Sequence, residues 1–174
     1  MIRRVLAFVV VVALLGLLVP AVVLSDTDII YCTVSGYMVS LTIDPASVAY
    51  GVVPFQAAAN TTATGLNQTQ TVTNSGTVTE DFNIMSGDAY GSPSETWDLV
   101  TTATPGVNEF KHEFSTTGGS SWTAMPDDNS YTALAGSVAP TGEISLDLRI
   151  TMPWSTDDNV AHGIAVTVMA IEHP

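Results

Sequence analysis

From Asp26 onward, apolar and polar residues alternate with period two, and no window carries the 3.6-residue period of an amphipathic helix. Ile144, Leu146, Leu148, Ile150 and Met152 alternate with Ser145, Asp147, Arg149 and Thr151, a pattern that sends one row into a core and the other into solvent. The same rule reads Tyr37, Val39, Leu41 and Ile43 as an inward row near the start, and Phe82 with Ile84 as another, set against Thr79, Asp81 and Asn83. Phe110, His112 and Phe114 form a further row opposed by Lys111 and Glu113. In the last segment Ile164, Val166, Val168 and Ala170 face one way, while Ala165, Thr167, Met169 and Ile171 make the other face apolar too. This predicts a central strand or one covered on both sides.

Turn chemistry separates these runs. Asn74-Ser75-Gly76 and Thr117-Gly118-Gly119-Ser120 each read as a hairpin connection, and Pro45, Pro54, Pro93, Pro105, Pro126, Pro140 and Pro153 fall between runs or at their ends. Seven to nine short strands without helices predict an all-β fold, a two-layer antiparallel immunoglobulin-like or jelly-roll sandwich. One N-terminal hydrophobic helix precedes it. Met1-Ile2-Arg3-Arg4 is followed by an uncharged stretch from Val5 to Leu24, a basic n-region and an apolar h-region. That stretch is long enough to span a bilayer, so residues 1–25 read as a signal peptide or a retained signal anchor, with Pro20 and Ser25 favouring cleavage. Residues 26–36 read as an extended segment and 37–174 as the sandwich domain. Both readings of the N-terminus export the domain to the cell surface or beyond, with residues 5–24 touching the membrane only if they are retained.

The opening strands carry a resemblance. Ser40-Leu41-Thr42-Ile43-Asp44-Pro45-Ala46-Ser47-Val48-Ala49-Tyr50-Gly51, followed by Gln70-Thr71-Val72-Thr73-Asn74-Ser75-Gly76-Thr77-Val78, resembles the first strands of secreted prokaryotic immunoglobulin-like domains. Leu24-Ser25-Asp26-Thr27, directly after the apolar stretch, is similar to the Phe-Ser-Asp-Thr start of the TasA/camelysin family of biofilm fibre proteins, with Leu24 in place of the aromatic residue. The first resemblance implies a fold. The second implies an extracellular fibre-forming subunit whose N-terminal strand completes a neighbour's sheet.

Charge narrows the partners. The chain has 4 basic and 17 acidic residues. Two of the basic residues, Arg3 and Arg4, belong to the export segment, which leaves Lys111 and Arg149 against all 17 acids, a balance of −15 for the exported part. Such a surface opposes binding to phosphate backbones, so nucleic acid is excluded as a partner. It suits a salty or cation-rich medium. The single cysteine, Cys32, excludes an intramolecular disulfide and a Cys-based zinc site, and Tyr31 before it breaks a lipidation motif. Cys32 reads as a half-buried thiol or as an intermolecular bridge between exported subunits.

Chemistry is sparse. His112, His162 and His173 lie far apart and none belongs to a His-Glu-x-x-His motif, so the peptidase side of the TasA/camelysin resemblance gains nothing from the residues. His112, between two inward phenylalanines, reads as a hydrogen-bonded structural histidine. Gly118-Gly119-Ser120-Ser121-Trp122 lacks the final glycine of a nucleophile elbow. Asp127-Asp128-Asn129 and Asp157-Asp158-Asn159 offer hard oxygen ligands in turn regions, either a calcium site at Asp127, Asp128, Asp157 and Asp158 or ordinary solvated turns. Trp97 and Trp122 read as plugs at the two ends of the core, whereas Trp154 beside Pro153 reads as an exposed ring able to stack on a sugar. Asn60 and Asn67 head formal glycosylation sequons. These readings converge on a non-enzymatic exported structural or adhesive surface protein with no resident cofactor apart from the calcium option, self-associating or meeting other surface components. A small carbohydrate-binding module is the alternative, and a secreted hydrolase a more distant one.

Overall fold

A computed structural model of the chain describes residues 33–34, 36–91, 96–126, 130–158 and 160–174. The fold that follows is that of the unit from Gly36 to Pro174. The N-terminal helix expected over residues 5–24 and the thiol of Cys32 lie outside the described residues. Among the described residues no helix is long and apolar enough to cross a membrane.

The unit is all-β. Its ten strands are β1 (Leu41–Asp44), β2 (Ala58–Asn60), β3 (Gln70–Asn74), β4 (Glu80–Gly91), β5 (Thr96–Leu99), β6 (Glu109–Ser115), β7 (Thr123–Ala124), β8 (Thr132–Val138), β9 (Glu143–Thr151) and β10 (His162–Glu172). They lie on one hydrogen-bonded path, β1-β3-β9-β6-β5-β4-β10, with β2 added to β9, β7 to β6 and β8 to β4. Two antiparallel halves are joined by a two-residue parallel contact, Asp98 opposite Glu109 and Leu99 opposite Phe110. The path is therefore continuous and nearly barrel-like. It does not close, because β1 and β10 do not pair with each other.

The alternating rows place the core. Phe82 and Ile84 of β4, Phe110 and Phe114 of β6, and Leu146, Leu148 and Ile150 of β9 are all buried. They form two clusters, one around Phe82 and Leu146, the other around Phe110 and Trp97, and Tyr50 packs against both. Each fully buried side chain of this size contributes about 1.5–3 kcal/mol.

Several expectations are corrected. Asn74-Ser75-Gly76 is no hairpin: β3 pairs with β1 and β9, whereas β4 pairs with β5, β8 and β10. The segment instead carries the chain from one half to the other, and the buried Asn74 side chain organises the crossing. Its Nδ2 donates to the carbonyls of Val78 and Val138, both at 2.8 Å, and its Oδ1 accepts the Gly76 N–H at 2.8 Å. A side chain at Gly76 would run into the Met38 carbonyl and the Glu80 carboxylate, so the crossing also needs glycine. By contrast, Thr117 to Ser120 does connect the antiparallel pair β6 and β7.

The strand β10 is not covered on both sides. It ends the path, with Met169 and Ile171 exposed on its outer face. Tyr37 is also exposed, because the chain before β1 runs past the rim of the core. Asp147 belongs to the row expected in solvent yet is buried, where it accepts hydrogen bonds from Thr69 Oγ1 at 2.6 Å and Thr61 Oγ1 at 3.3 Å.

Glu113 is the second buried acid of an outward row. Lys111 Nζ lies 2.8 Å from its Oε1, and Arg149 reaches its Oε2 through Nη2 at 2.6 Å and Nε at 2.7 Å. The Arg149 guanidinium also sits 4.6 Å from the centre of the Trp122 ring, so Trp122 covers an ion cluster instead of plugging the core. Trp97, by contrast, is a core residue. Removing one of two cations from a buried carboxylate is costly, and here Arg149 supplies both donors to Oε2 while Lys111 serves Oε1. Arg149→Met, which keeps the packing on Trp122 and removes the charge, is expected to lower unfolding stability by about 3 kcal/mol, and Glu113→Gln in the same chain should recover part of it. Urea unfolding of the two variants checks this; a loss below 0.5 kcal/mol would refute it on the scale of exposed ion pairs, about 0–1 kcal/mol.

Candidate functional site

The ladder registers define two ends of the molecule. At the near end Leu41 lies opposite Asn74, Thr73 opposite Glu143, and Glu80 opposite Glu172. The chain reaches this end at Gly36, whose carbonyl accepts from Thr77 Oγ1, and Glu80 Oε1 accepts the Ser40 N–H at 2.8 Å. At the far end Thr151 lies opposite both Ala58 and Lys111, and Gly91 opposite His162. The eight steps of β9 from Glu143 to Thr151 separate the ends by about 27 Å at ~3.4 Å per residue.

Between the free edges of β1 and β10 runs a groove of about 810 Å³. Ile43 of β1 and Ile164, Val166 and Val168 of β10 form its two banks, and Leu146 and Leu148 of β9 form the floor. The segment from Ala46 to Phe55, which links β1 to β2, lies along it without joining a ladder. Its fixed points are side-chain bonds. Gln68 accepts the Ala49 N–H at 3.0 Å and donates to the Ala49 carbonyl at 3.2 Å, and the Tyr50 hydroxyl lies 2.8 Å from His112 Nε2.

His112 is fully buried in the wall. Its Nδ1 lies 2.9 Å from Ser86 Oγ, and Ser86 Oγ donates to the Gly87 carbonyl at 3.4 Å. His112 thus bridges Ser86 and the Tyr50 hydroxyl, one ring nitrogen donating and the other accepting. The arrangement ties β4, β6 and the linking segment together. Burial pushes the His112 pKa down to about 3 and raises that of the Tyr50 phenol.

A second polar cluster closes the far end. Trp97 Nε1 donates to Thr156 Oγ1 at 3.0 Å and to Asp158 Oδ2 at 3.3 Å, and the Trp97 ring stacks on His162 with centroids 3.8 Å apart. His162 Nε2 lies 3.5 Å from Asp158 Oδ2. Partial burial opposes ionisation of Asp158, but the Val160 N–H, Thr156, His162 and Trp97 together hold its carboxyl below the ordinary carboxylate range.

The sites expected from sequence are placed as follows. Asp158 is engaged as just described, and Asp157 Oδ2 accepts from Asn108 Nδ2 at 3.1 Å. Asp127 and Asp128 lie outside the described residues, and among the described residues no three His, Cys, Asp or Glu side chains converge. Trp154 stands exposed. Asn67 sits on an exposed turn with φ 54°, while Asn60 is half-buried and its Oδ1 accepts from Thr62 Oγ1 at 2.6 Å. Sequence reasoning missed the groove, and with it the roles of Tyr50, Ser86 and Gln68. Only the inward position of His112 signalled it. Comparison with protein-family models, with curated proteins and with solved structures gives no match.

The histidine supplies a pH test. With the folded pKa near 3 and an unfolded value near 6.5, the unfolded chain binds the extra proton between these limits, so this residue's contribution to stability is complete above about pH 6.5 and is lost as pH falls. The loss is about 1.4 kcal/mol per pH unit. In His112→Gln the slope of unfolding free energy against pH between 6 and 4 is expected to be shallower by one proton than in the parent. Identical slopes in denaturant titrations would refute the assignment.

Proposed function

We propose that the chain is an exported, non-enzymatic structural or adhesive subunit of the cell surface that assembles by strand addition. In this reading residues 1–25 direct export, as a cleaved signal or a retained helical anchor, and the two antiparallel halves pack as the layers of an immunoglobulin-like sandwich. The observation that carries the proposal is the unclosed seam, since two strand edges unpaired among the described residues flank an apolar groove. An open edge of this kind is a template for another strand. A suitable strand lies in the same sequence: Asp28-Ile29-Ile30-Tyr31-Cys32-Thr33-Val34 is β-branched, apolar and free of basic residues. Supplied by a second copy, it adds main-chain hydrogen bonds to the edge and apolar side chains to the groove.

The acidic surface sets the conditions. Both basic side chains of the exported part are paired with Glu113, which leaves the other described acids without a Lys or Arg partner among the described residues. Copies repel one another at low ionic strength, and screening relieves that repulsion. Calcium held at the acidic turns would act in the same direction.

Residues 26–174 are expected to form multimers that disappear when residues 26–36 are deleted. Light scattering across protein concentration measures this, and a monomer under all conditions would remove the proposal. Multimer formation is further expected to rise between 0.05 and 1 M sodium chloride; a fall with salt would show that attraction between charges, and not strand burial, drives association.

A further inference from the structure

We infer that two copies of the chain pair edge to edge through β10, antiparallel about a two-fold axis at Thr167. The inference goes beyond the strand-addition reading and makes no use of residues 26–36. Among the described residues β10 pairs with β4 alone, and no loop backbone bonds to its other edge. From His162 to Ile171 half-buried and exposed positions alternate without a break, so the strand presents two regular rows. Two antiparallel strands keep their faces aligned only when odd-numbered residues meet odd and even meet even. Centring on Thr167 meets that condition and overlaps the whole run 163–171, which carries no charged side chain. On the exposed face Gly163 then lies opposite Ile171 and Ala165 opposite Met169, with Thr167 opposite its own copy. Each large exposed side chain, Met169 at 36% and Ile171 at 44%, thus meets a small one. A side chain on Gly163 would touch nothing within 4 Å, which is the open space that Ile171 of the second copy fills. On the groove face Ile164 falls opposite Ala170 and Val166 opposite Val168, so large again meets small at the ends. A facing Thr–Thr pair is itself a favourable cross-strand combination.

Charge selects a second copy as the occupant. Residues 26–174 balance at −15, so copies repel one another, and that repulsion bears least on an uncharged strip. The edge of β1, by contrast, offers four residues and ends in Asp44. In the two-fold arrangement the Glu172 carboxylates that close each run stand at opposite ends of the contact, ten steps or about 34 Å apart at ~3.4 Å per residue. That distance exceeds the Debye length of about 8 Å at physiological ionic strength, so the one like-charged pair beside the run is screened. The same residues serve on both copies, which makes the contact isologous and closes it at two. One strand edge is a smaller contact than the ~1,200 Å² of a stable interface. The pair is therefore transient, and cross-linking measures it where light scattering does not.

Introduced cysteines read the register. In full-length protein carrying Cys32→Ser, Thr167→Cys faces its own copy and is expected to give a two-copy product with a short bismaleimide. Gly163→Cys alone and Ile171→Cys alone are expected to give none, because like positions stand eight steps or about 27 Å apart at ~3.4 Å per residue. A mixture of these two single variants should cross-link. Self-linking of Gly163→Cys and of Ile171→Cys would overturn the antiparallel register, and no product from Thr167→Cys would overturn the contact. Thr167→Lys sets two like charges face to face while making each copy less negative. Added to the mixed pair, it is expected to cut the cross-linked yield roughly threefold with unchanged melting temperature. An unchanged or higher yield would show association governed by net charge and would overturn the pairing. Multimers of the parent chain without Thr167→Cys products would remove this contact alone, whereas Thr167→Cys products without multimers of the parent chain would remove strand addition and leave the pair.

Discussion

The rest of the structure depends on the failure of β1 and β10 to meet. A continuous path of strands that curls almost into a barrel must either pair its two ends or leave backbone groups and an apolar strip uncovered. Here β1 has four residues and β10 has eleven. The short strand cannot match the long one, and the segment after it, Ala46 to Phe55, leaves the ladder to cross toward β2. That segment covers part of the seam through Val48, Tyr50 and the Gln68 bonds, and it leaves the remainder as the groove. His112 makes the compromise workable. Its Nε2 bonds the hydroxyl that Tyr50 brings into the core, and its Nδ1 bonds Ser86 on the facing half. An imidazole kept neutral by burial is suited to this, since it donates and accepts on opposite sides of one ring.

The electrostatics follow a second economy. A domain with two basic residues has little means of neutralising a buried carboxylate, yet both are directed to Glu113 on adjacent strands. The consequence reaches the whole surface. Acids at the rims and turns face solvent with no Lys or Arg opposite them among the described residues, and local hydrogen bonds, such as Ser137 N–H to Asp81 and Val160 N–H to Asp158, stabilise individual carboxylates instead. The two exposed rows that lack charge, Val52 to Phe55 and the Met169 face of β10, stand out against that background.

The sequence pattern revealed the strands because period two is a local property: the rows of β4, β6 and β9 follow from side chains that alternate along one backbone. What it could not supply was pairing. Asn74-Ser75-Gly76 has hairpin composition, yet Asn74 is buried by bonds to Val78 and to Val138, a residue 64 positions away, which no local signal contains. Asp147 and Glu113 alternate correctly but are covered by a loop and by an ion cluster, so the outward row of a strand need not be wet. The apolar outer row of β10 suggested cover on both sides, because a buried central strand and an edge awaiting a partner have the same composition. The groove is legible only from the registers that place Ile43 and Val166 on opposite banks, and His112 alone gave a hint of its wall.

Under the proposed strand addition, that ambiguity at β10 bears on how a single copy avoids indiscriminate pairing. A long edge strand with exposed Met169 and Ile171 would invite any extended chain to pair with it, and proteins usually blunt such edges with lysine, proline or a bulge. Among the described residues, β10 carries one interruption of this kind, the register shift between Ile164 and Val166. Protection must come largely from elsewhere, and net charge is the available means. At physiological ionic strength the Debye length is about 8 Å, so the field of a −15 domain opposes close approach of a second copy at every face at once. In the proposed strand addition, a donated segment would cross that distance before the domains come together. Under the proposal, the acidity and the open seam are parts of one arrangement: general repulsion suppresses indiscriminate edge pairing, and association through the seam is left to the donated segment.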